Sequence, residues 1–258
     1  MSAELRLTSG IYELVVDGAL VIRRPHADAF SPADISNLHA WLKADAITGT
    51  ADGAALATWE DSGSGNRDGL QATAANQPTY VASSINSKPA VQGAANKYMA
   101  IQSALPTSNT LFLVFKTTTQ AAANPIFSTG STASGVVGSP YLLLQDDNGT
   151  LRGYSEGSNG NAFWNLQAIS ANTPYVLTVS YNQATARINA WVNGVQRATN
   201  LTLSQVGNVA SGNAYVYLLS GFNGQYRGVI AEAIIYSAVL ADADRANVEN
   251  HLMTKYGV

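Results

Sequence analysis

Short runs of alternating apolar and polar residues follow one another along most of the chain. Gly, Asn, Asp or Pro residues bound these runs, as in "TLFLVFKTT", "YVLTVSYN" and "ARINAWVNG". Strands separated by helices of about 10–15 residues would indicate βαβ units, and no such helices lie between these runs. The pattern therefore predicts an all-β protein built as an antiparallel sandwich or barrel.

Residues 173–199 show this pattern most clearly. Two alternating runs are joined by a polar turn, and Asn193 and Gly194 follow the second run. An Asn-Gly pair supplies the positive φ angles of a type I′ turn. We therefore expect a three-stranded meander here, whereas the polar residues 73–93 are expected to form a long surface connection with little strand.

The N-terminal residues form a separate pattern. Residues 4–24 contain three strand-like runs, and Asp17-Gly18 is a strong hairpin signal between two of them. A stretch with two prolines follows. We predict a small β-element at residues 1–30 that acts as an arm or anchor, and one main domain at residues 31–258.

The last 31 residues combine a strand with a helix. The alternation in "GVIAEAIIY" places Ile230 on the same face as Glu232, and both faces are mostly apolar. A buried Glu232 needs a partner, such as Arg227 or backbone amides, and a structural role is favoured over catalysis. A short C-terminal helix follows, with Asp242 predicted as its N-cap and Gly257 just past its end.

Composition narrows the possible functions. Charged residues are 12% of the chain, the net charge is −3, and no basic stripe is present, which disfavours nucleic acid as a partner. No cysteine is present, so disulfides and thiolate metal sites are excluded. Neither a membrane span nor the apolar segment of a secretory signal is expected.

The candidate catalytic patterns in the sequence are incomplete. Retaining glycosidases need two carboxylates about 5 Å apart. Glu60 and Asp61 are adjacent and would face opposite sides of a strand, and Glu232 has no second carboxylate nearby in sequence. "GYSEG" matches a nucleophile elbow in letters but lacks the helix that must follow it. We therefore predict that the protein is not an enzyme.

Two acidic loops are candidates for calcium, the only cofactor that we consider. "EDSGSGNRDG" and "QDDNG" offer oxygen ligands. The alternative is that these carboxylates bond local backbone amides in hairpin turns, and we favour it. The candidate ligands are Asp61, Asp68, Asp146 and Asp147.

Aromatic residues among amides are candidates for glycan binding. A sugar ring needs an exposed aromatic face with hydrogen-bonding groups beside it. The candidates are Tyr154, Asn161, Trp164, Phe222 and Tyr226. Core packing is the interpretation that we favour for each of these aromatic rings, and because Phe163 is adjacent to Trp164, at least one of these two is expected to point inward. Trp41, Trp59 and Trp191 lie within strand patterns and are expected in the core.

Three blocks of sequence resemble one family. Residues 38–81 carry two tryptophan strands and an Asp-Ser-Gly-rich turn, residues 173–199 the meander, and residues 226–257 the closing strand and helix. Together they are similar to the concanavalin A-like jelly rolls of the laminin-G-like type, found in bacterial surface proteins and phage structural proteins. The resemblance implies an antiparallel jelly-roll β-sandwich of two packed sheets with a concave face. It implies no single activity.

Two functions fit these features. The first is a phage virion structural protein, a tail or head-surface component whose residues 1–30 join it to other virion subunits or to sister copies, and whose jelly roll binds host glycans. The alternative is a carbohydrate-binding module of a bacterial surface protein. We expect the virion surface or, for the alternative, the bacterial exterior. A glycosidase is the least favoured.

Overall fold

The computed structural model describes residues 2–8, 11–25, 30–130, 142–157, 160–202, 214–221 and 224–258. The chain forms two compact units, Met1–Asp34 and Ile35–Val258. The boundary suggested by the sequence, after residue 30, falls inside the first unit. That this unit anchors the protein stays a prediction.

The first unit is a three-stranded antiparallel meander. Its strands are β1 (Ala3–Thr8), β2 (Ile11–Val16) and β3 (Ala19–Pro25). Asp17 and Gly18 join β2 to β3 with φ angles of 49° and 82°, as the hairpin signal predicts. Oδ1 of Asp17 also accepts the backbone N–H of Ser2 at 2.7 Å. A 3₁₀-helix, Pro32–Asp34, ends the unit.

The second unit is almost entirely β-structure. Its strands are β4 (Leu38–Lys43), β5 (Thr58–Trp59), β6 (Gly69–Leu70), β7 (Thr79–Ile85), β8 (Lys88–Gln92), β9 (Met99–Ile101), β10 (Asn109–Thr117), β11 (Asn124–Gly130), β12 (Leu142–Asp147), β13 (Thr150–Gly157), β14 (Gly160–Ala168), β15 (Pro174–Asn182), β16 (Arg187–Val192), β17 (Val195–Thr202), β18 (Tyr215–Leu218), β19 (Ser220–Gly221), β20 (Gly224–Gln225) and β21 (Gly228–Tyr236). Short 3₁₀-helices occur at Ala44–Ala46 and Ala74–Asn76, and one α-helix, α1, spans Asp242–Tyr256.

Two large antiparallel sheets contain most of these strands. Sheet I has the order β17-β16-β15-β10-β21-β8-β7, and β4 also pairs with β21. Sheet II has the order β14-β13-β12-β11-β18-β9-β6-β5. The predicted meander at residues 173–199 is therefore one side of sheet I, and Asn193 and Gly194 turn there with φ angles of 50° and 71°. The surface connection expected at residues 73–93 is wrong, because β7 and β8 pair there.

The two sheets pack face to face around one core. Leu111, Leu113 and Phe115 alternate along β10 in sheet I, and they share a cluster with Leu142 and Leu144 of β12 in sheet II. Alternate positions of strands in both sheets thus meet between them, which is the packing of a β-sandwich. The predicted all-β antiparallel sandwich with a C-terminal helix is confirmed.

The outer face of sheet I packs against α1. Trp41 and Trp191 are 7% and 8% exposed but lie outside the central cluster. The guanidinium of Arg245 in α1 lies 4.2 Å from the centroid of the Trp191 ring. Trp59, by contrast, is fully buried between the sheets. The strand tryptophans therefore belong to two different packing layers.

Glu232 joins sheet I to the end of α1. This side chain is fully buried. Its Oε1 accepts the indole N–H of Trp41 at 2.6 Å, and its Oε2 accepts the ammonium of Lys255 at 2.7 Å and the hydroxyl of Tyr256 at 2.9 Å. The predicted partners, Arg227 or backbone amides, are wrong, because the last turn of α1 brings its own donors to the carboxylate.

The charge of Glu232 shifts the pKa values of its two neighbours in α1. Burial opposes the charged form of Lys255, but the carboxylates of Glu232 and Asp45, the latter 2.9 Å from Nζ, raise its pKa. Burial and the charge of Glu232 raise the pKa of Tyr256, so the phenol stays a hydrogen-bond donor. The helix end is thus tied to the sheet by an ion pair and by a hydrogen bond from a neutral phenol to a charged carboxylate.

A bulge changes the faces of β21. Val114 of β10 lies opposite Glu232, but the next residue, Phe115, lies opposite Ile230. The extra residue, Ala231, turns Ile230 into the core with Ala233. The expectation that Ile230 shares a face with Glu232 is therefore wrong.

The predicted N-cap of α1 is wrong, whereas its predicted C-terminal end is confirmed. Ala241 occupies the N-cap position without a side-chain cap bond, so Asp242 is not the N-cap but the first helical residue. At this position the negative charge of Asp242 interacts favourably with the positive, N-terminal end of the helix dipole. Gly257 ends the helix with a φ of 65°, as expected. Among the described parts of the chain, no helix combines the length and apolar composition needed to cross a bilayer.

We expect Glu232→Ala to lower the free energy of unfolding by about 3–5 kcal/mol, because it leaves buried donors without their acceptor. Urea unfolding followed by tryptophan fluorescence measures this. Glu60→Ala is the control, since Glu60 is exposed and its loss is expected to change stability by less than about 0.5 kcal/mol. Equal effects of the two substitutions would contradict this role of Glu232.

Candidate functional site

The outer face of sheet II, opposite to its core face, carries a row of tyrosine and small residues. Val216 and Leu218 of β18 point into the core, so Tyr217 between them points outward. Tyr217 lies opposite Ala100 of β9, and Ala100 lies opposite Leu70 of β6. These short strands therefore place their outward side chains side by side.

A groove of about 580 Å³ lies over this row. Its lining comprises Leu70, Gln71, Asn76, Tyr98, Gln102 and Tyr215, with Ala72, Thr73 and Ala100 between them. The volume falls within the range of about 300–1,000 Å³ that is typical of ligand sites. Three distant segments of the chain build this groove.

Two half-exposed tyrosine rings form its aromatic part. Tyr217 is fully buried. The ring of Tyr215 stacks on it with centroids 6.1 Å apart and planes 18° apart, and the ring of Tyr98 meets it edge-on at 6.1 Å and 75°. Tyr217 therefore supports both rings from below and fixes their positions.

Residues 71–76 form the rim of the groove, and hydrogen bonds join this rim to Tyr98, just before β9. Gln71 is 5% exposed, its Oε1 accepts the backbone N–H of Thr73 at 3.0 Å, and its Nε2 donates to the carbonyl of Tyr98 at 3.4 Å. The carbonyl of Asn76 accepts the backbone N–H of Tyr98 at 3.2 Å. The rim and the Tyr98 ring are thus fixed relative to each other.

The lining of the groove is uncharged among the described residues, so these residues supply no carboxylate. It offers aromatic faces, amides and hydroxyls, which stack on apolar ring faces and hydrogen-bond to hydroxyl groups. The signal in the sequence was the alternation of Tyr215 and Tyr217 in "AYVYLLSG", whereas nothing in the sequence around Tyr98 distinguished it.

Solved structures with similar folds come from carbohydrate-active proteins and a toxin. Domain 4 of AbnA, a GH43 extracellular arabinanase from Geobacillus stearothermophilus solved in complex with arabinotriose, is 16% identical, with a TM-score of 0.60 over 83% of this chain and 98% of that one. The binding domain of Paraclostridial Mosquitocidal Protein 1 is 12% identical, with a TM-score of 0.62 over 86% and 53%.

A sialidase from Trypanosoma rangeli is 14% identical, with a TM-score of 0.58 over 86% of this chain, which spans 34% of the sialidase. At these identities the likeness shows the β-sandwich fold alone. No protein-family model and no curated protein match the chain. The laminin-G-like type and the phage origin therefore stay predictions.

Trp164, predicted to bind glycans, is a core residue. It is 7% exposed and belongs to the central cluster. Its indole lies against Gly153 of the neighbouring strand, where a Cβ atom would stand 2.0 Å from the ring. This burial contradicts a sugar-stacking role for Trp164.

Phe163, adjacent to Trp164, points the other way, as the adjacency predicts. It is 56% exposed and packs on Tyr154, with ring centroids 4.5 Å apart, and the guanidinium of Arg152 lies 4.4 Å from its centroid. Tyr154 itself is 7% exposed, which contradicts its predicted role as an open aromatic face. The exposed ring on this side of sheet II is thus Phe163.

Tyr226, another candidate for glycan binding, is also enclosed by the protein. It is fully buried, its hydroxyl lies 3.0 Å from the hydroxyl of Thr117, and burial raises its pKa. A ring enclosed in this way offers no face to a sugar. Phe222 and the side chain of Asn161 lie outside the described residues.

The first acidic loop uses its carboxylates inside the turn. Oδ1 of Asp61 accepts the backbone N–H groups of Trp41 and Gly63 at 2.8 and 2.9 Å, and its Oδ2 accepts that of Arg67 at 3.0 Å. Asp68 accepts the backbone N–H of Asp61 at 2.8 Å. Because these oxygens already accept backbone N–H groups, a structural role in the turn is favoured over calcium binding.

The second acidic loop is similarly occupied. Asp146 is buried and accepts bonds from the backbone of Gly149 at 2.7 Å and the amide of Asn124 at 3.2 Å. Burial raises its pKa. Asp147 forms an ion pair with Arg152. Within the described ranges, no group of three or more His, Cys, Asp or Glu side chains has the arrangement of a metal site.

We expect Trp164→Ala to lower the free energy of unfolding by about 3–5 kcal/mol, because it leaves a cavity in the core. Phe163→Ala is the matched control in the next position, and its loss is expected to cost less than about 1 kcal/mol because the ring is exposed. Chemical denaturation of both variants measures the difference. A smaller loss for Trp164→Ala than for Phe163→Ala would contradict the assignment.

Proposed function

We propose that this chain is a non-enzymatic carbohydrate-binding protein and that the groove beside Tyr98 and Tyr215 holds the sugar. The observation that carries this proposal is the pair of half-exposed rings held by the buried Tyr217. The similar folds of an arabinanase domain solved with arabinotriose and of a toxin's binding domain support it.

The groove matches the two sides of a sugar ring. The C–H groups on one face of a pyranose or furanose are apolar and stack on an aromatic ring, which removes apolar surface from water. The hydroxyls at the ring edge both donate and accept, as do the amides of Asn76 and Gln102. Rings and amides share one groove, so one sugar contacts both.

The absence of enzyme activity is part of the proposal. Glycoside hydrolysis by the common mechanisms needs two carboxyl groups flanking the bond. No carboxyl group occurs among the described residues that line the groove, and Glu232 is enclosed by Trp41, Lys255 and Tyr256. A carboxylate whose oxygens are already bonded to protein donors has no access to a glycosidic bond.

We expect Tyr215→Ala to weaken glycan binding by about tenfold or more, a loss of roughly 1.4 kcal/mol, because it removes a stacking surface. A glycan array identifies a ligand for the native chain, and isothermal titration then compares dissociation constants. Phe163→Ala is the control, an exposed aromatic ring outside the groove. Unchanged binding in Tyr215→Ala, or no binding to any glycan by the native chain, would refute the proposal.

We further propose that the first unit attaches the protein to other subunits, either in a virion or on a bacterial surface. The specific observation is that this unit forms its own sheet, in which β1 and β3 pair on one side only within the described residues. An edge strand adds readily to a strand of another chain. A surface or extracellular location follows from this proposal.

We expect deletion of residues 1–34 to abolish self-association or incorporation into particles while leaving the second unit folded, because that unit has its own core. Sedimentation of the full and shortened chains measures the assembly state, and thermal unfolding checks the fold. An unchanged assembly state after deletion would remove the first unit from this role.

A further inference from the structure

Among the described residues, the lining of the groove contains polar groups but no charged side chain. Its accessible hydrogen-bonding side chains are the amides of Asn76 and Gln102 and the hydroxyls of Thr73, Tyr98 and Tyr215. Each of these groups is neutral at physiological pH, and each both donates and accepts hydrogen bonds. Such a set matches sugar hydroxyls, which also do both.

On this basis we infer that the groove selects uncharged glycans and discriminates against glycans that carry carboxylates, such as sialic or uronic acids. The inference rests on the proposed function and adds the chemical class of the ligand. An ionised carboxylate loses its hydration when it enters a groove, and a cation compensates for this loss more strongly than neutral donors do. Neutral amides supply bonds without the compensating charge.

Three cations elsewhere in the second unit are bonded to other groups. Arg152 pairs with Asp147 and packs on Phe163. Lys255 pairs with Glu232, and the guanidinium of Arg67 donates to the carbonyl of His39 at 2.9 Å.

Arg152 is also distant from the groove within sheet II. Its strand, β13, is four positions from β9 in the strand order, or about 19 Å at the usual strand spacing. The net charge of −3 adds no attraction for an anion.

Gln102 is the position that sets this selectivity. It follows β9 directly, lies two residues after the outward-facing Ala100, and is exposed in the groove lining. A guanidinium at this position would reach a ligand in the groove, because the Arg side chain is longer and carries its charge at the tip. Gln102→Arg is therefore expected to admit carboxylates.

The test uses the full chain and an array of matched glycan pairs, each a neutral oligosaccharide and the same oligosaccharide with a sialic or uronic acid. We expect the native chain to bind the neutral members about tenfold or more tightly than their acidic partners. Gln102→Arg is expected to raise binding of acidic members about tenfold, whereas Gln102→Asn, the uncharged control, leaves the preference unchanged. Thermal unfolding confirms that both variants fold.

The outcomes separate the two proposals. Equal or tighter binding of the acidic members by the native chain, lost in Tyr215→Ala, would overturn the neutral selectivity and leave the proposed function intact. Failure of folded Gln102→Arg to gain acidic binding would overturn the role of this position. Binding to none of the glycans would refute the proposed function, and the selectivity with it.

Discussion

The buried carboxylate of Glu232 determines how the layers of this protein are arranged. A carboxylate at 0% exposure is tolerated only when donors surround it, and two of its three donors come from the last turn of α1. Separation of α1 from sheet I would therefore remove two hydrogen-bond donors from the buried Glu232 carboxylate. Sheet II packs on the inner face of sheet I, and α1 packs on part of its outer face.

The proposed binding groove lies on sheet II. It forms where the short strands β5, β6 and β9 end the sheet, since short strands bring three loops and their side chains together. The bonds of Glu232 and the proposed recognition therefore involve different sheets.

Local patterns in the sequence predicted the strands, the Asn193-Gly194 turn and the closing helix, because these depend on neighbouring residues. Contacts between distant residues were not predictable in this way. Trp41 and Glu232 are 191 positions apart, and the bulge at Ala231 depends on pairing with β10. Which of two adjacent aromatic rings faces inward depends on strand register, so Trp164 was misassigned while the groove tyrosines were missed.

The support that Tyr217 gives to the groove rings has a consequence for binding thermodynamics. A flexible aromatic side chain loses rotational freedom when a ligand stacks on it, and that loss subtracts from the affinity. Here the stacking of Tyr215 and the edge contact of Tyr98 are already made in the absence of ligand. In the proposed site, these two rings are therefore ordered before binding, so their side chains lose little further entropy when a ligand stacks on them.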